Sequence, residues 1–437
     1  MHLRRAIVAA LLLLPAAASS QTEPNTIPAG TPLTLSIDRH YPMHAGQAIQ
    51  AHLLYPIYAD NRLLLPSGTT VTGSVVSLRP DHPRRVRALL GGDFTPFHTP
   101  VLQFTQIVLA DGSEAPLAAS IVTDGAPIYR AVAPPPSKGG IVRHEFNNGL
   151  AAVRGDVAAF TAPGKADRLL QWVYGRLPYH PERIEKGTAW TLEPSAPIAI
   201  PAQPVNFKQQ PAAAARPTTP DGAWIIQANL SGAISSEASA QGQAIQAVVA
   251  EPIYNPDHSV AVPQGAVLIG MVTRAKPARR FGRAGVLDFR FSQLQLPNAT
   301  QAVETRLTGA DSAADIALNS EGQAQSKPQD KLAIPLFLAL LASRPLDQDC
   351  GHRGGCDGNS FGKDGLGGAA GLGLVGTIAG IAGGSPYVAA GIGYWGAARA
   401  VYLRWIARGQ KIAFPKDTRI VVETTPRRSA PIGPNTP

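Results

Sequence analysis

The sequence predicts a mainly β protein with two related β-barrel-like or sandwich-like modules and a C-terminal, glycine-rich helical hairpin. Three observations support this fold class: a repeated turn-and-strand motif, an internal duplication, and an uncharged stretch from Gly365 to Ala398. Pro (40) and Gly (43) are abundant among the 437 residues, and only 6 % of them are aromatic. This composition favours many short strands joined by turns over a helical enzyme core.

The first twenty residues have the order of an export signal. A short basic start with Arg4 and Arg5 is followed by an apolar run from Ala6 to Leu14 and by small residues up to Ser20. That order is typical of a cleavable signal peptide. We therefore expect residues 1–20 to be removed, the mature chain to begin near Gln21, and the protein to be exported to the periplasm, the outer membrane, or both.

A turn-and-strand motif occurs five times in the chain. Its copies begin Ile27-Pro-Ala-Gly-Thr, Leu65-Pro-Ser-Gly-Thr, Ile184-Glu-Lys-Gly-Thr, Val262-Pro-Gln-Gly-Ala and Phe414-Pro-Lys-Asp-Thr. Pro, where present, favours the turn, Gly or Asp tolerates the bend, and the next residues alternate or run apolar as strands do. Each copy therefore predicts a turn that leads into a strand.

Longer matches reveal an internal duplication. The matched pairs are Gly46–Ala51 with Gly242–Ala247, Pro56–Tyr58 with Pro252–Tyr254, Leu65–Gly68 with Val262–Gly265, and Val71–Gly73 with Leu268–Gly270. Their order is kept and their spacing nearly so. We expect both copies to share one β topology, with Gly73 and Gly270 at equivalent bends or close backbone contacts.

The duplication sets the predicted domain organisation. The first β module covers 27–125 and the second covers 223–309. Residues 126–200 form a connecting segment with a helix near Lys165–Leu177 and a return strand. Residues 201–222 are a loose or extended Ala/Pro linker.

Each module has a basic loop after its Gly73 or Gly270 strand. The loop arginines are Arg84, Arg85 and Arg87 in the first copy and Arg279, Arg280 and Arg283 in the second. With a net charge of +9, these loops could face anionic lipid headgroups, lipopolysaccharide, wall polymer or nucleic acid in transit. The alternative is a solvated hairpin tip that blocks edge aggregation. No aromatic ladder accompanies them, so we expect no sequence-specific nucleic-acid binding.

Both cysteines lie in the connecting segment 310–364. Cys350 and Cys356 are six positions apart, and a disulfide is the default for such a pair in an exported chain. A metal site could add His352, but two thiolates and one imidazole fall short of the usual four zinc ligands. We therefore expect a disulfide loop here and no metal.

The stretch 365–408 predicts a helical hairpin. Gly376, Gly380 and Gly384 form overlapping GxxxG units, which let helix backbones touch inside a bilayer. Gly383 and Gly384 can end one helix, while Ser385 caps a second helix that runs to about Arg408. The alternative is a glycine-rich helical pair buried within the protein itself. Residues 409–424 follow as the final strand and 425–437 as a disordered tail.

Several of these motifs together resemble the C-terminal β-barrel domain of TrbI-type proteins. They are Ile27-Pro-Ala-Gly-Thr, Gly46 with its following strand, Pro56-Ile-Tyr58, Leu64-Leu-Pro-Ser-Gly-Thr, Gly73, and Gln103-Phe104 through Leu109-Ala-Asp-Gly112. In that family the barrel belongs to the scaffold of type IV secretion and conjugation channels, and a helical hairpin inserted between strands crosses the outer membrane. The resemblance implies a non-enzymatic envelope component, assembled as a homo-oligomer at an envelope membrane with other envelope proteins as possible partners.

Two other functions stay open at the level of sequence: a soluble periplasmic module that binds an anionic envelope polymer, and an exported hydrolase. Gly358-Asn-Ser-Phe-Gly362 fits the G-x-S-x-G form, but a glycine-rich loop precedes it and no His follows Ser360. We find no HExxH motif, no phosphate-binding loop and no convincing dinucleotide loop. The sequence therefore predicts no catalytic residues and no cofactor.

Overall fold

The protein is mainly β, as predicted, with a closed six-stranded barrel, a half-barrel sheet and C-terminal helices. The computed structural model describes residues 25–134, 177–201, 224–255, 257–327, 333–347 and 360–426. The expected signal peptide, residues 165–176 of the expected helix, the linker after 201, and both cysteines lie outside the described residues.

The first module is a half-barrel. Its strands, with a few that pair elsewhere, are β1 Asn25–Ile27, β2 Leu33–Ser36, β3 Tyr41–Pro42, β4 Ala48–Leu53, β5 Ile57–Ala59, β6 Arg62–Leu65, β7 Thr70–Pro80, β8 His98–Val108, β9 Glu114–Pro116, β10 Ala119–Ile121, β11 Ala126–Pro127, β12 Tyr129–Val132, β13 Arg183–Ile184, β14 Thr188–Pro194 and β15 Ile198–Ile200. The main sheet has the order β10-β14-β2-β4-β7-β8-β9, with β11 paired to β14. Its two ends, β9 and β10, are neighbours in sequence.

The second module closes completely. Its strands are β16 Trp224–Leu230, β17 Ile234–Ser235, β18 Ala244–Val249, β19 Ile253–Tyr254, β20 Val260–Val262, β21 Val267–Lys276, β22 Val286–Leu296, β23 Ala299–Ser312, β24 Ile316–Leu318, β25 Ala324–Ser326, β26 Ala413–Phe414 and β27 Arg419–Pro426. The ring runs β16-β18-β21-β22-β23-β27 and returns to β16. The continuous β23 takes the place that β9 and β10 share in the half-barrel, and β12 crosses from the first half of the chain to pair with β23.

The five predicted turns have one conformation. Their fourth residues are all left-handed, with φ of 76° at Gly30, 86° at Gly68, 82° at Gly187, 83° at Gly265 and 63° at Asp417. In each turn the backbone N–H of the fifth motif residue donates to the carbonyl of the second motif residue, at 3.1 to 3.3 Å. Every turn leads into a barrel strand, as predicted.

The two modules also share their irregularities. Both β7 and β21 contain two register shifts, placed around Gly73 and Gly270 and again a few residues later. A Cβ added to Gly73 would overlap the carbonyl of Gln103, and one added to Gly270 would overlap that of Arg290. The close contacts expected of these two glycines are present, because only glycine lets the bulged strand approach its neighbour so closely.

Each module has its own apolar core. Strand alternation supplies it: β4 and β18 carry the same Ala-Ile-Gln-Ala pattern, with Ile49 and Ala51, or Ile245 and Ala247, turned inward. Trp190 of the first core lies against Gly125, where no larger residue would fit. The strand Thr188–Pro194, which the sequence placed in the connecting segment 126–200, belongs to the half-barrel sheet itself.

The described residues also contain four α-helices. α1, His82–Leu89, lies in the β7–β8 loop. α2 (Ala333–Ser343), α3 (Ser360–Ala382) and α4 (Pro386–Val401) are all inserted between β25 and β26. α2 ends in a 3-10 turn, Arg344–Leu346, and α4 continues as a π-helical turn, Tyr402–Ile406. α2 lies in the segment 310–364, where the sequence predicted only a connection, and the last strand extends to Pro426 instead of ending at 424.

Candidate functional site

The helices α2, α3 and α4 pack together into one layer, which we call the helix layer. α3 is folded back at Leu372 and Gly373, where Gly373 has φ 58° and ψ −134°. An added Cβ at Gly376 would overlap the carbonyl of Gly368, and one at Gly380 would lie 2.6 Å from the carbonyl of Asp364. In a straight helix, Gly368 and Gly376 would be about 12 Å apart, and Asp364 and Gly380 about 24 Å apart. The two halves of α3 therefore run antiparallel in backbone contact.

Glycines also join α3 to α4. A Cβ added at Gly371 would overlap the carbonyl of Ile392, and one at Gly396 would overlap that of Ala370. A Cβ added at Gly393 would lie 2.7 Å from the Cβ of Ala342 in α2. The small residues let three backbones approach to distances that any side chain would prevent.

The predicted packing glycines have different positions in this layer. Gly376 and Gly380 join segments of the same chain, and Gly384 forms the left-handed turn between α3 and α4 with φ 56°. Ser385 occupies the N-cap position of α4 with extended backbone, although its side chain makes no capping hydrogen bond. A role of these glycines between subunits stays a prediction.

The fold-back of α3 changes the membrane interpretation. Gly362–Ala382, with mean hydropathy 1.6, is the one helix in the described part of the chain that is long and apolar enough to cross a membrane by length and composition. Its two halves are only about 17 Å and 14 Å long at 1.5 Å per residue. A hydrocarbon core is about 30 Å thick. In this conformation neither half of α3 reaches across a bilayer.

The helix layer exposes many large apolar side chains, which together we call its outer face. Its large exposed side chains are Ile334, Leu336, Phe337, Leu340, Leu366, Leu374, Ile378, Tyr387, Val388, Tyr394, Trp395, Val401, Tyr402, Leu403, Trp405 and Ile406. Leu336 is 70 % exposed and Tyr387 is 76 % exposed. Soluble monomers rarely expose contiguous apolar patches larger than a few hundred Å².

The loops between β7 and β8 and between β21 and β22 hold the helix layer; we call them tip 1 and tip 2. At tip 1, Arg399 of α4 donates to the carbonyls of Leu90 (3.0 Å) and Arg87 (3.2 Å). At tip 2, the N–H of Phe281 donates to the carbonyl of Ile406 (3.2 Å), and Gly409 donates to that of Arg279 (2.9 Å). Equivalent hairpins of the two modules are therefore hydrogen-bonded to α4 and to the residues that directly follow it.

The predicted basic loops are these tips, and their arginines differ in environment. At tip 1, Arg84 stacks over the Phe97 ring at 4.2 Å, and Arg85 donates to the Phe97 carbonyl at 3.1 Å. Arg87 donates to the carbonyl of Pro83 at 3.2 Å within α1. At tip 2 three arginines are exposed to solvent: Arg279, Arg280 and Arg283.

A buried polar network joins the two modules. Tyr55 of the first module donates to Asp311 of the second (2.5 Å) and accepts from Arg130 (3.0 Å). The guanidinium of Arg419 lies 5.0 Å from the centre of the Tyr55 ring and is paired with Glu251. Burial raises the pKa of Tyr55 to about 12, with Asp311 adding to the shift, and burial raises the pKa of Asp311.

This network was missed at the level of sequence because its members are separated by up to several hundred residues. Tyr55 precedes the Pro56-Ile-Tyr58 landmark, and the duplication of that landmark predicted a shared topology but no contact between the copies. In the structure the two landmark loops meet: the N–H of Gln264 donates to Asn61 at 2.7 Å, and Tyr254 donates to the Asn61 carbonyl.

A cleft of about 670 Å³ opens at the other side of tip 1. Its walls include Arg79, Arg84, Trp190 and the pair His98–Glu182. His98 Nδ1 lies 2.5 Å from Glu182 Oε2, and the His98 N–H donates to Glu182 Oε1 at 2.6 Å. The carboxylate therefore satisfies a backbone donor at the exposed end of β8.

The residues considered for a metal site and for a nucleophile lie at or beyond the edge of the described residues. Within them, no group of three or more His, Cys, Asp or Glu side chains could hold a metal ion. Ser360 begins α3, and the Gly-rich residues before it, like His352, Cys350 and Cys356, fall outside the described ranges. The disulfide stays a prediction.

Comparison with known proteins gives distant structural likenesses. No family model matches this chain, and no curated protein matches it. Among solved structures, ComB10 of the Com type IV secretion system of Helicobacter pylori aligns with 41 % of this chain and 93 % of its own chain, at 11 % identity and a TM-score of 0.22. At that TM-score the alignment does not bear on function.

Proposed function

We propose that this protein is a non-enzymatic structural component of the cell envelope, similar in role to the outer-membrane channel scaffolds of type IV secretion and conjugation systems. The observation that carries the proposal is the exposed apolar face of the helix layer. Two rigid β modules hold this face on one side through tip 1 and tip 2, so that it is presented to a membrane while the modules stay in water.

Water and lipid solvate the helix layer differently. In water, every exposed Leu, Phe and Trp of the helix layer keeps apolar surface hydrated, which costs a free energy of about 25 cal/mol per Å². In lipid the same residues lose that penalty, and helices satisfy their backbone hydrogen bonds internally. The folded-back α3 inserts as a short hairpin. Since its glycines are occupied within the chain, assembly into a homo-oligomer uses the aromatic outer face.

Membrane fractionation tests the proposal. We expect the native protein to sediment with membranes and to need detergent for release. Replacing Leu336, Phe337 and Leu340 of α2 by Gln should shift it to the soluble fraction, since these side chains are 56–70 % exposed and support no core. The matched control replaces exposed Val76, Val101 and Val248 of the β modules by Gln and should stay with the membranes. Release of the native protein by buffer alone would refute the proposal.

A second candidate function, a soluble periplasmic module that binds an anionic envelope polymer, is favoured by the cleft beside tip 1. Arg79 and Arg84 line that cleft. If the native protein is soluble and binds a polyanion, and Arg79→Gln with Arg84→Gln abolishes binding, this function replaces the first. An exported hydrolase would instead lose an activity on Ser360→Ala.

A further inference from the structure

The basic loops of the two modules and the C-terminal end of α4 come together at one edge of the helix layer. Tip 1 is hydrogen-bonded to Arg399, and tip 2 to Ile406 and to Gly409. Positions 399 and 406 are about 10 Å apart along a helix. Three segments that are remote in sequence therefore share one surface.

That surface is strongly basic. Residues 82–92, 274–287 and 399–411 contain no Asp or Glu. They carry Arg84, Arg85, Arg87, Arg274, Lys276, Arg279, Arg280, Arg283, Arg399, Arg404, Arg408 and Lys411. Arg408 lies 3.6 Å from Glu237, and its side chain is 69 % exposed. The three segments therefore carry twelve basic residues and no acidic residue.

Large rings and aliphatic side chains lie between these cations. Phe281 at the end of tip 2 is 69 % exposed, and Tyr402, Leu403 and Trp405 of the π-helical turn are 54 %, 53 % and 44 % exposed. This turn continues directly into the apolar outer face of the helix layer. We call Arg87, Arg279, Arg280, Phe281, Arg283, Tyr402, Leu403, Trp405 and Arg408 the arginine–aromatic rim.

We propose that the arginine–aromatic rim binds the phosphate headgroups of anionic lipids and so sets the depth at which the helix layer enters a membrane. Aromatic rings and arginines beside an apolar surface match the lipid–water boundary, where rings lie among headgroups and cations meet phosphate. A soluble polyanion would use the cations but leave the rings and the adjoining apolar face in water. This inference rests on the proposed membrane association and adds a lipid preference to it.

Vesicle flotation of the full chain tests the rim, with phosphatidylcholine vesicles compared to vesicles in which one lipid in three is phosphatidylglycerol. We expect at least tenfold tighter binding to the anionic vesicles, weakened by salt. The triple variant Arg279→Gln, Arg280→Gln and Arg283→Gln should lose most of that preference. Each removed positive charge should weaken binding to the anionic vesicles about fivefold. These changes keep the backbone hydrogen bonds of tip 2.

The control variant removes three positive charges elsewhere, through Arg62→Gln, Lys186→Gln and Arg290→Gln, and should keep the preference. Equal binding of the native chain to both vesicles, or an equal loss in the control variant, overturns the rim while membrane association stands. Binding to neither vesicle overturns both. Loss of polyphosphate binding in the rim variant, with anionic vesicle binding unchanged, would assign these arginines to a soluble polyanion and also overturn the inference.

Discussion

At the scale of single residues, Asp417 stands out among the five motif turns because it occupies a position where the other four have glycine. Its φ is 63°, and its side chain lies beside Lys416 and Glu193 at the contact between the modules. Burial, followed by the hydrogen bond with Glu193, raises the pKa of Asp417 to about 7. Lys416 holds the pKa of Glu193 below its usual value.

The raised pKa of Asp417 predicts a pH-dependent stability. Below about pH 4 this carboxyl is protonated whether the chain is folded or not. Between about pH 4 and 7 only the folded state keeps the proton, so the contribution of Asp417 to stability falls as the pH rises and is lost above about 7. Asp417→Asn removes the titration and tolerates positive φ.

We therefore expect Asp417→Asn to raise the free energy of unfolding by at least about 1 kcal/mol at pH 8 and to change it little at pH 4. Urea denaturation at several pH values measures this. Asp124→Asn is the control, since Asp124 is exposed and only loosely paired with Arg79 at 4.0 Å. Parallel pH curves for the native chain and Asp417→Asn would contradict the assignment.

The sequence reveals turn residues well and the module contact poorly. Gly30, Gly68, Gly187 and Gly265 were identified because a turn imposes a local backbone demand that glycine meets. Tyr55, Asp311 and Arg419 were not, because burial of a polar group depends on partners brought together only by the complete fold. No spacing rule in one sequence reports such partners.

At the scale of elements, the fold-back of α3 depends on contacts that admit no side chain. We expect Gly376→Ala to separate the two halves of α3, because the new methyl group would overlap the Gly368 carbonyl. Hydrogen exchange of residues 360–401 should become much faster, while exchange in β16, β18 and β21 stays slow.

The matched control for this prediction is Gly391→Ala in α4. An added Cβ there has nothing within 4 Å. Alanine should stabilise the helix by roughly 0.5–1 kcal/mol relative to glycine. If both substitutions slow or both accelerate exchange, the glycine contacts do not hold the helix layer together.

The helical hairpin was predictable in position but not in shape. The Gly-Gly-Ser-Pro sequence at 383–386 marked the start of α4 because each of its residues has a positional preference at a helix end. The break at Gly373 was not marked, since ten or more glycines in the stretch offer the same freedom. The short apolar helix α2 was missed because its apolar residues have no period that separates a helix from a strand.

At the scale of the whole molecule, Tyr55 couples the two modules. Its hydroxyl bonds to Asp311 and Arg130, and its ring covers Arg419, whose charge is otherwise matched by Glu251. We expect Tyr55→Ala to cost several kcal/mol, because it opens a cavity and leaves buried polar groups unpaired. Calorimetry should then show the modules unfolding in two steps where the native chain unfolds in one.

Tyr179→Ala serves as the comparison, because Tyr179 is 63 % exposed. Its removal should leave a single transition with little change in midpoint. A single transition in Tyr55→Ala as well would show that the remaining contacts, such as Asn61 with Gln264, are sufficient to couple the modules.

The duplication made the order of strands within each module foreseeable, since matched turns and bulges fix matched strands. The half-barrel differs because β9 and β10 are interrupted where β23 runs unbroken for 14 residues. Nothing in the sequence of Pro116 and Leu117 specifies on its own that the ring stays open there.

The closing strand β27 lies after the helix layer in the chain, and this has a consequence for biogenesis. Ribosomes work from the N-terminus, so β16 and β23 wait with unpaired edges while the roughly one hundred residues between Ser312 and Arg419 are made. In the half-barrel the strand that pairs with β2 and β10 is β14, which ends at Pro194, so their edges stay unpaired over a shorter stretch of chain. Unpaired strand edges recruit other chains. Nascent chains stalled within the helix layer should therefore contain a folded first module and an aggregation-prone, protease-sensitive second module.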